Sequence, residues 1–169
     1  MSKEFRNIHS ARNLLKLYVK NGRDINLIKN LPISNIDRFD VWQIVFAEEP
    51  EAYRELMIKE YYHTFRKEYQ DEACKDTMFL IAVNKLTQLE EWDTPPLTVE
   101  DAIKIIIDCL GKESLPKLIA KAEYCTKLRR EIIEPYFKKD NEWVGYAKKV
   151  VNKLKKYDNS LTFSKTVVL

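Results

Sequence analysis

The chain has 169 residues, 45% of them apolar, enough to bury one core without a disulfide or a metal. Its three glycines are too few for a Rossmann crevice, a phosphate-cradling loop or a many-turned β-sandwich, all of which need residues at positive φ. The formal net charge of +3 does not by itself demand a polyanionic partner, but the charge is uneven: residues 1–110 hold 15 basic and 19 acidic groups, residues 111–169 hold 14 and 7. A phosphate-binding surface therefore belongs in the C-terminal third.

Hydrophobic spacing is helical nearly throughout. Phe5, Ile8, Ala11, Leu15 and Tyr18 step by three or four, with Ser2 placed as an N-cap and Asn21-Gly22 as a stop. Asp24 can cap a short turn that ends near Leu31, because Pro32 forces its predecessor out of helical geometry. Ser34 and Asp37 resemble a capping box for a helix with Phe39, Trp42, Val45 and Phe46. Pro50 suits a first helical position, and Tyr53, Leu56, Met57, Tyr61, Phe65 and Tyr69 then form an aromatic-rich stripe. After an interruption at 71–77, a second stripe runs through Met78, Ala82, Leu86, Leu89 and Trp92, which together predict a helical hairpin.

Pro95-Pro96 breaks the pattern and makes 93–97 the best internal loop and a candidate subdivision. Thr98 and Asp101 resemble a capping box for a helix with Ala102, Ile103, Ile106, Ile107 and Leu110, closed by Gly111 and buried on more than one face. Pro116 starts a helix whose Leu118, Ala122, Cys125, Leu128 and Ile132 share a side, and Pro135 ends or bends it. Asp140 caps the last helix, with Trp143, Ala147, Val150, Leu154 and Tyr157 inward. These elements predict an all-α, single-domain bundle of six to eight helices over 1–158, followed by a short extended C-terminal tail over 159–169.

Motifs for chemistry are sparse. Glu60 and His63 have the Glu-x-x-His spacing of a carboxylate-bridged metal pair, but His9, the other histidine, has Arg6 where its glutamate belongs, so half the ligand set is missing. Cys74, Cys109 and Cys125 form no CxxC pair and fall on or beside apolar stripes, where packing is the ordinary role. No glycine-framed nucleophile is present. The reading is a non-enzyme without cofactor or metal, and the odd, unpatterned cysteines suit a reducing, cytoplasmic setting. The N-terminus is charged at once, and the longest apolar run, Met78 to Val83, is six residues, so neither a signal peptide nor a membrane span is expected.

The basic C-terminal third carries the strongest functional signal. Arg129 and Arg130 offer bidentate phosphate contacts, and Lys149, Lys153 and Lys156 step by four and three along one helix face, able to follow a nucleic-acid backbone without reading its sequence. Lysines at such positions also merely solvate helix backs. Tyr53, Tyr61, Phe65 and Tyr69 are the candidate surface for a protein partner, with core packing the alternative. The function expected is that of a small accessory subunit binding a protein and DNA or RNA backbone in a nucleoprotein assembly. The alternative is a protein-interaction module, a regulator or inhibitor of viral or mobile-element type, with no nucleic-acid role.

Overall fold

The computed structural model describes residues 3–24, 39–66, 75–129, 131 and 140–167. Seven α-helices occur among them, and no strand: α1 (Lys3–Lys20), α2 (Phe39–Glu48), α3 (Pro50–Phe65), α4 (Lys75–Glu91), α5 (Val99–Leu110), α6 (Leu115–Leu128) and α7 (Asp140–Val167), with a 3-10 turn at Lys112–Ser114. The protein is an all-α multi-helix bundle. None of the described helices is long and apolar enough to cross a membrane.

The chain divides into two compact units, 1–60 and 61–169, the division falling after Glu60 within α3. The Pro95-Pro96 segment lies inside the second unit, between α4 and α5.

In the first unit the end of α1 follows its sequence signal. Gly22 takes φ 73°, its N–H donates to the Val19 carbonyl at 3.3 Å, and Arg23 N–H donates to Tyr18 at 2.8 Å, the paired bonds of a Schellman cap. Lys59 of α3 donates to the Arg23 carbonyl and pairs with Glu55 at 3.4 Å, and Glu55 also pairs with Arg23. A cation is thereby set at the negative end of α1. Arg12 Nε donates to Glu48 at 2.6 Å, tying α1 to α2. Leu15, Tyr18, Val45 and Leu56 are buried beneath these polar ties. Ser2, the 24–31 turn and the Ser34–Asp37 capping box lie wholly or mainly outside the described residues.

In the second unit α5 follows its sequence signals at both ends. Thr98 Oγ1 accepts from Asp101 N–H at 3.1 Å, as its N-cap position requires, and Gly111 closes the helix at φ 92°, ψ 148°, a conformation that essentially only glycine adopts. Ile105, Ile106 and Ile107 are consecutive and all buried, so the helix is enclosed on more than one face. Helix α4 packs against α5, α6 and α7, and α7 packs against α4, α5 and α6. The buried hydroxyls of Thr87, Ser114 and Thr126 donate to carbonyls four residues earlier, at 2.7, 2.9 and 2.7 Å, so they sit in the core without an unsatisfied donor.

Two expectations are corrected. The stretch from 159 is not an extended tail: α7 continues to Val167, because residues 146–167 contain neither glycine nor proline to stop its hydrogen-bond ladder. Leu128 does not share the inward side of α6; Leu118, Ala122 and Cys125 are buried while Leu128 is exposed. Two successive three-residue steps after Ala122 each fall short of a full turn, which carries Leu128 roughly 120° round the helix.

The two glycines of this unit give opposite expectations. A Cβ at Gly145, inside α7, would meet nothing within 4 Å, so Gly145→Ala should raise stability by about 0.5–1 kcal/mol. Gly111→Ala should lower it by about 1–3 kcal/mol through backbone strain. Urea titrations of the two variants check both signs.

Candidate nucleic-acid interface

Along α7 the inward positions Val144, Ala147, Val150, Val151 and Leu154 are buried, which turns Lys148, Lys149, Lys155 and Lys156 toward solvent. The lysines of this helix then separate into two kinds.

Lys153 is turned back onto the bundle. Its ammonium pairs with Glu90 at the end of α4, a carboxylate whose side chain is only 8% exposed, and lies 3.7 Å from Glu100 in the first turn of α5. One lysine thus joins three helices. Lys153 is itself 34% exposed, so most of its side chain lies along protein and its charge is taken up by carboxylates. Lys155 pairs with Glu123 of α6 at 3.1 Å, between two half-exposed groups, a contact that holds little energy but occupies the cation.

Lys148, Lys149 and Lys156 make no salt bridge among the described residues. Lys149 and Lys156 are two turns apart, about 10 Å along the axis. Lys149 Nζ stands 5.9 Å from the Tyr146 ring centroid. Lys148 faces a groove of about 550 Å³ between α6 and α7, where Lys127 is a second cation without a described ion pair, and Glu123, Glu131 and Asn152 supply further polar lining. Arg129 places its guanidinium 4.6 Å from the Trp143 ring centroid, stacking α6 onto the start of α7.

The expected ridge of Lys149, Lys153 and Lys156 is therefore corrected: Lys149 and Lys156 stay in line and unpaired, Lys153 is withdrawn from it, and the third unpaired lysine, Lys148, lies about 100° round the helix from Lys149 at the groove beside α6. At 100° per residue, Lys153 lies on the flank of the exposed face nearest α4, within reach of two glutamates. Glu90 and Glu100 come from other helices, so the periodicity of α7 alone carries no sign of this pairing. Arg130 lies outside the described residues.

The aromatic stripe is corrected too. Tyr53, Tyr61 and Phe65 are buried and offer no surface to a partner; Tyr69 lies outside the described residues. Phe46 packs on Tyr53 with ring centroids 5.9 Å apart, and Tyr61 on Phe65 at 6.1 Å. Burial, with the Glu60 carboxylate adding to it, pushes the Tyr53 hydroxyl well above its ordinary value.

Among the described residues no three His, Cys, Asp or Glu side chains gather as a metal site would need. Burial pushes the thiols of Cys109 and Cys125 up, with Asp108 adding to the first, so both are held away from thiolate character. Cys125 is buried as core packing implies, Cys109 is half-buried, and Cys74 lies outside the described residues.

No protein family matches the chain, and no curated protein or solved structure matches it significantly.

The division among lysines is measurable. Brief acetylation with an amine-reactive ester, followed by peptide mass spectrometry, should label Lys148, Lys149 and Lys156 several-fold faster than Lys153. Equal labelling of all four contradicts the pairing.

Proposed function

We propose that the protein is a non-enzymatic helical accessory factor that lies against the phosphate backbone of DNA or RNA through the outward face of α7. The observation that carries this reading is that Lys148, Lys149 and Lys156, all exposed on one helix, have no carboxylate partner among the described residues, whereas Lys153 and Lys155 of the same helix each have one. Cations already paired gain little by exchanging a carboxylate for a phosphate. Unpaired cations release the counterions condensed on the polyanion, and that release drives binding.

The interaction is sequence-independent, because ammonium groups on an exposed helix surface meet phosphate and carry no base-edge pattern. Lys127, across the groove from Lys148, extends the cationic surface onto α6, while Glu131 bounds it. The free thiols of Cys109 and Cys125 suit a reducing intracellular compartment, which is part of the same proposal.

Replacing Lys148, Lys149 and Lys156 together by Glu should abolish retention of a labelled duplex oligonucleotide near physiological salt and leave the thermal melt nearly unchanged. Replacing the same three by Gln should flatten the dependence of log affinity on log salt by roughly 0.9 for each phosphate that is no longer neutralised. Electrophoretic mobility at several salt concentrations reads both. Undiminished retention in the Glu variant refutes the reading, as does a wild-type protein that binds no oligonucleotide at low salt.

A further inference from the structure

Helix α6 leaves two large apolar side chains outside the core, one turn apart. Tyr124 is 57% exposed and Leu128 39%. With the exposed Ala120 they stand at i, i+4 and i+8, a spacing that aligns side chains along one face. The Lys121 ammonium lies 5.7 Å from the Tyr124 ring centroid and bridges at 2.9 Å to Asp76 of α4. One turn beyond Asp76, α4 carries the exposed Leu80. The bridge thus links the face of α4 that bears Leu80 to the face of α6 that bears Tyr124.

The charges beside this ridge are unequal. Lys117 and Lys127 are exposed and have no ion pair among the described residues, whereas Glu123 is occupied by Lys155. Glu131 stands beyond the ridge's C-terminal end.

We infer that this ridge docks an acidic amphipathic helix of a protein partner. Side chains spaced by four form a ridge that fits the groove between the corresponding rows of another helix. Tyrosine supplies large contact area at small entropic cost, and the flanking lysines select carboxylates. A second copy of the chain is a poorer charge match than a helix flanked by several carboxylates: beside this ridge it offers Glu131 as its one acidic group without an ion pair among the described residues, against Lys117 and Lys127.

The probes are two fluorescein-labelled amphipathic helical peptides with leucines at i, i+4 and i+7, one flanked by glutamates and the other by lysines at the same positions. They are titrated against the full chain by fluorescence anisotropy. The acidic peptide should bind, and the basic one should bind roughly ten-fold more weakly or not at all. Tyr124→Ala with Leu128→Ala should weaken the acidic peptide roughly ten-fold, with the circular-dichroism melt preserved because both side chains are exposed. Lys117→Glu with Lys127→Glu should reverse the preference between the peptides. The Lys148, Lys149 and Lys156 to Gln variant should lose oligonucleotide affinity yet bind the acidic peptide within about two-fold of the wild type and keep its dependence on Tyr124 and Leu128, which separates this result from that of the phosphate-backbone reading. Absence of acidic-peptide binding, equal affinity for both peptides or indifference to the Tyr124 and Leu128 substitutions overturns the inference. So does a single-stranded oligonucleotide whose affinity falls with Tyr124→Ala alone, or self-association that the same substitution abolishes.

Discussion

The Lys153–Glu90 ion pair is the constraint on which the proposed phosphate-binding face of α7 depends. A carboxylate with 8% of its side chain exposed is costly without a partner, and the partner comes from the middle of α7. With Glu100 beside it, the same lysine ties α7 to the end of α4 and the start of α5. That pairing helps set the rotation of α7 about its axis. It acts together with the burial of Val150 and Leu154, and in that orientation Lys148, Lys149 and Lys156 face water. The hydrophobic face alone fixes rotation only to within the width of its apolar stripe, whereas a pair between defined atoms narrows it further.

Polar and apolar constraints divide the work similarly elsewhere. In the first unit, Arg12–Glu48 and the Arg23, Glu55 and Lys59 cluster lie over a core of Leu15, Tyr18, Val45 and Leu56. Apolar burial supplies the driving force, and the ion pairs, being partly exposed, add direction more than energy. The basic C-terminal third is thus not a uniform sheet of charge. Part of it holds helices together, and part is exposed without an ion pair among the described residues.

Much of the fold was legible in the sequence because its signals are local. Asn21-Gly22, Pro50, Thr98 with Asp101, Gly111 and Pro116 mark helix ends through backbone geometry that needs no tertiary context, and helices begin or end at or beside each of them. The triple isoleucine of α5 announced its enclosure by the same logic. The end of α7 carries no such signal: Val167 and its neighbours are poor helix formers, yet residues 146–167 contain no glycine or proline to stop the helix, and it runs past 159.

The site was less legible, since whether a lysine is free or paired depends on which acids other helices bring to it. Glu90 and Glu100 are 63 and 53 residues from Lys153. Tyr124 was detectable in principle, as a large aromatic off the inward stripe of α6, whereas the aromatic stripe of α3 had the periodicity of a core and proved to be one. The most direct test of the account is a double-mutant cycle on Lys153→Met and Glu90→Gln, read as unfolding free energy in urea. The pairing predicts a coupling energy of about 1 kcal/mol or more. Additive effects of the two substitutions would mean that the pair does not hold α7 in place.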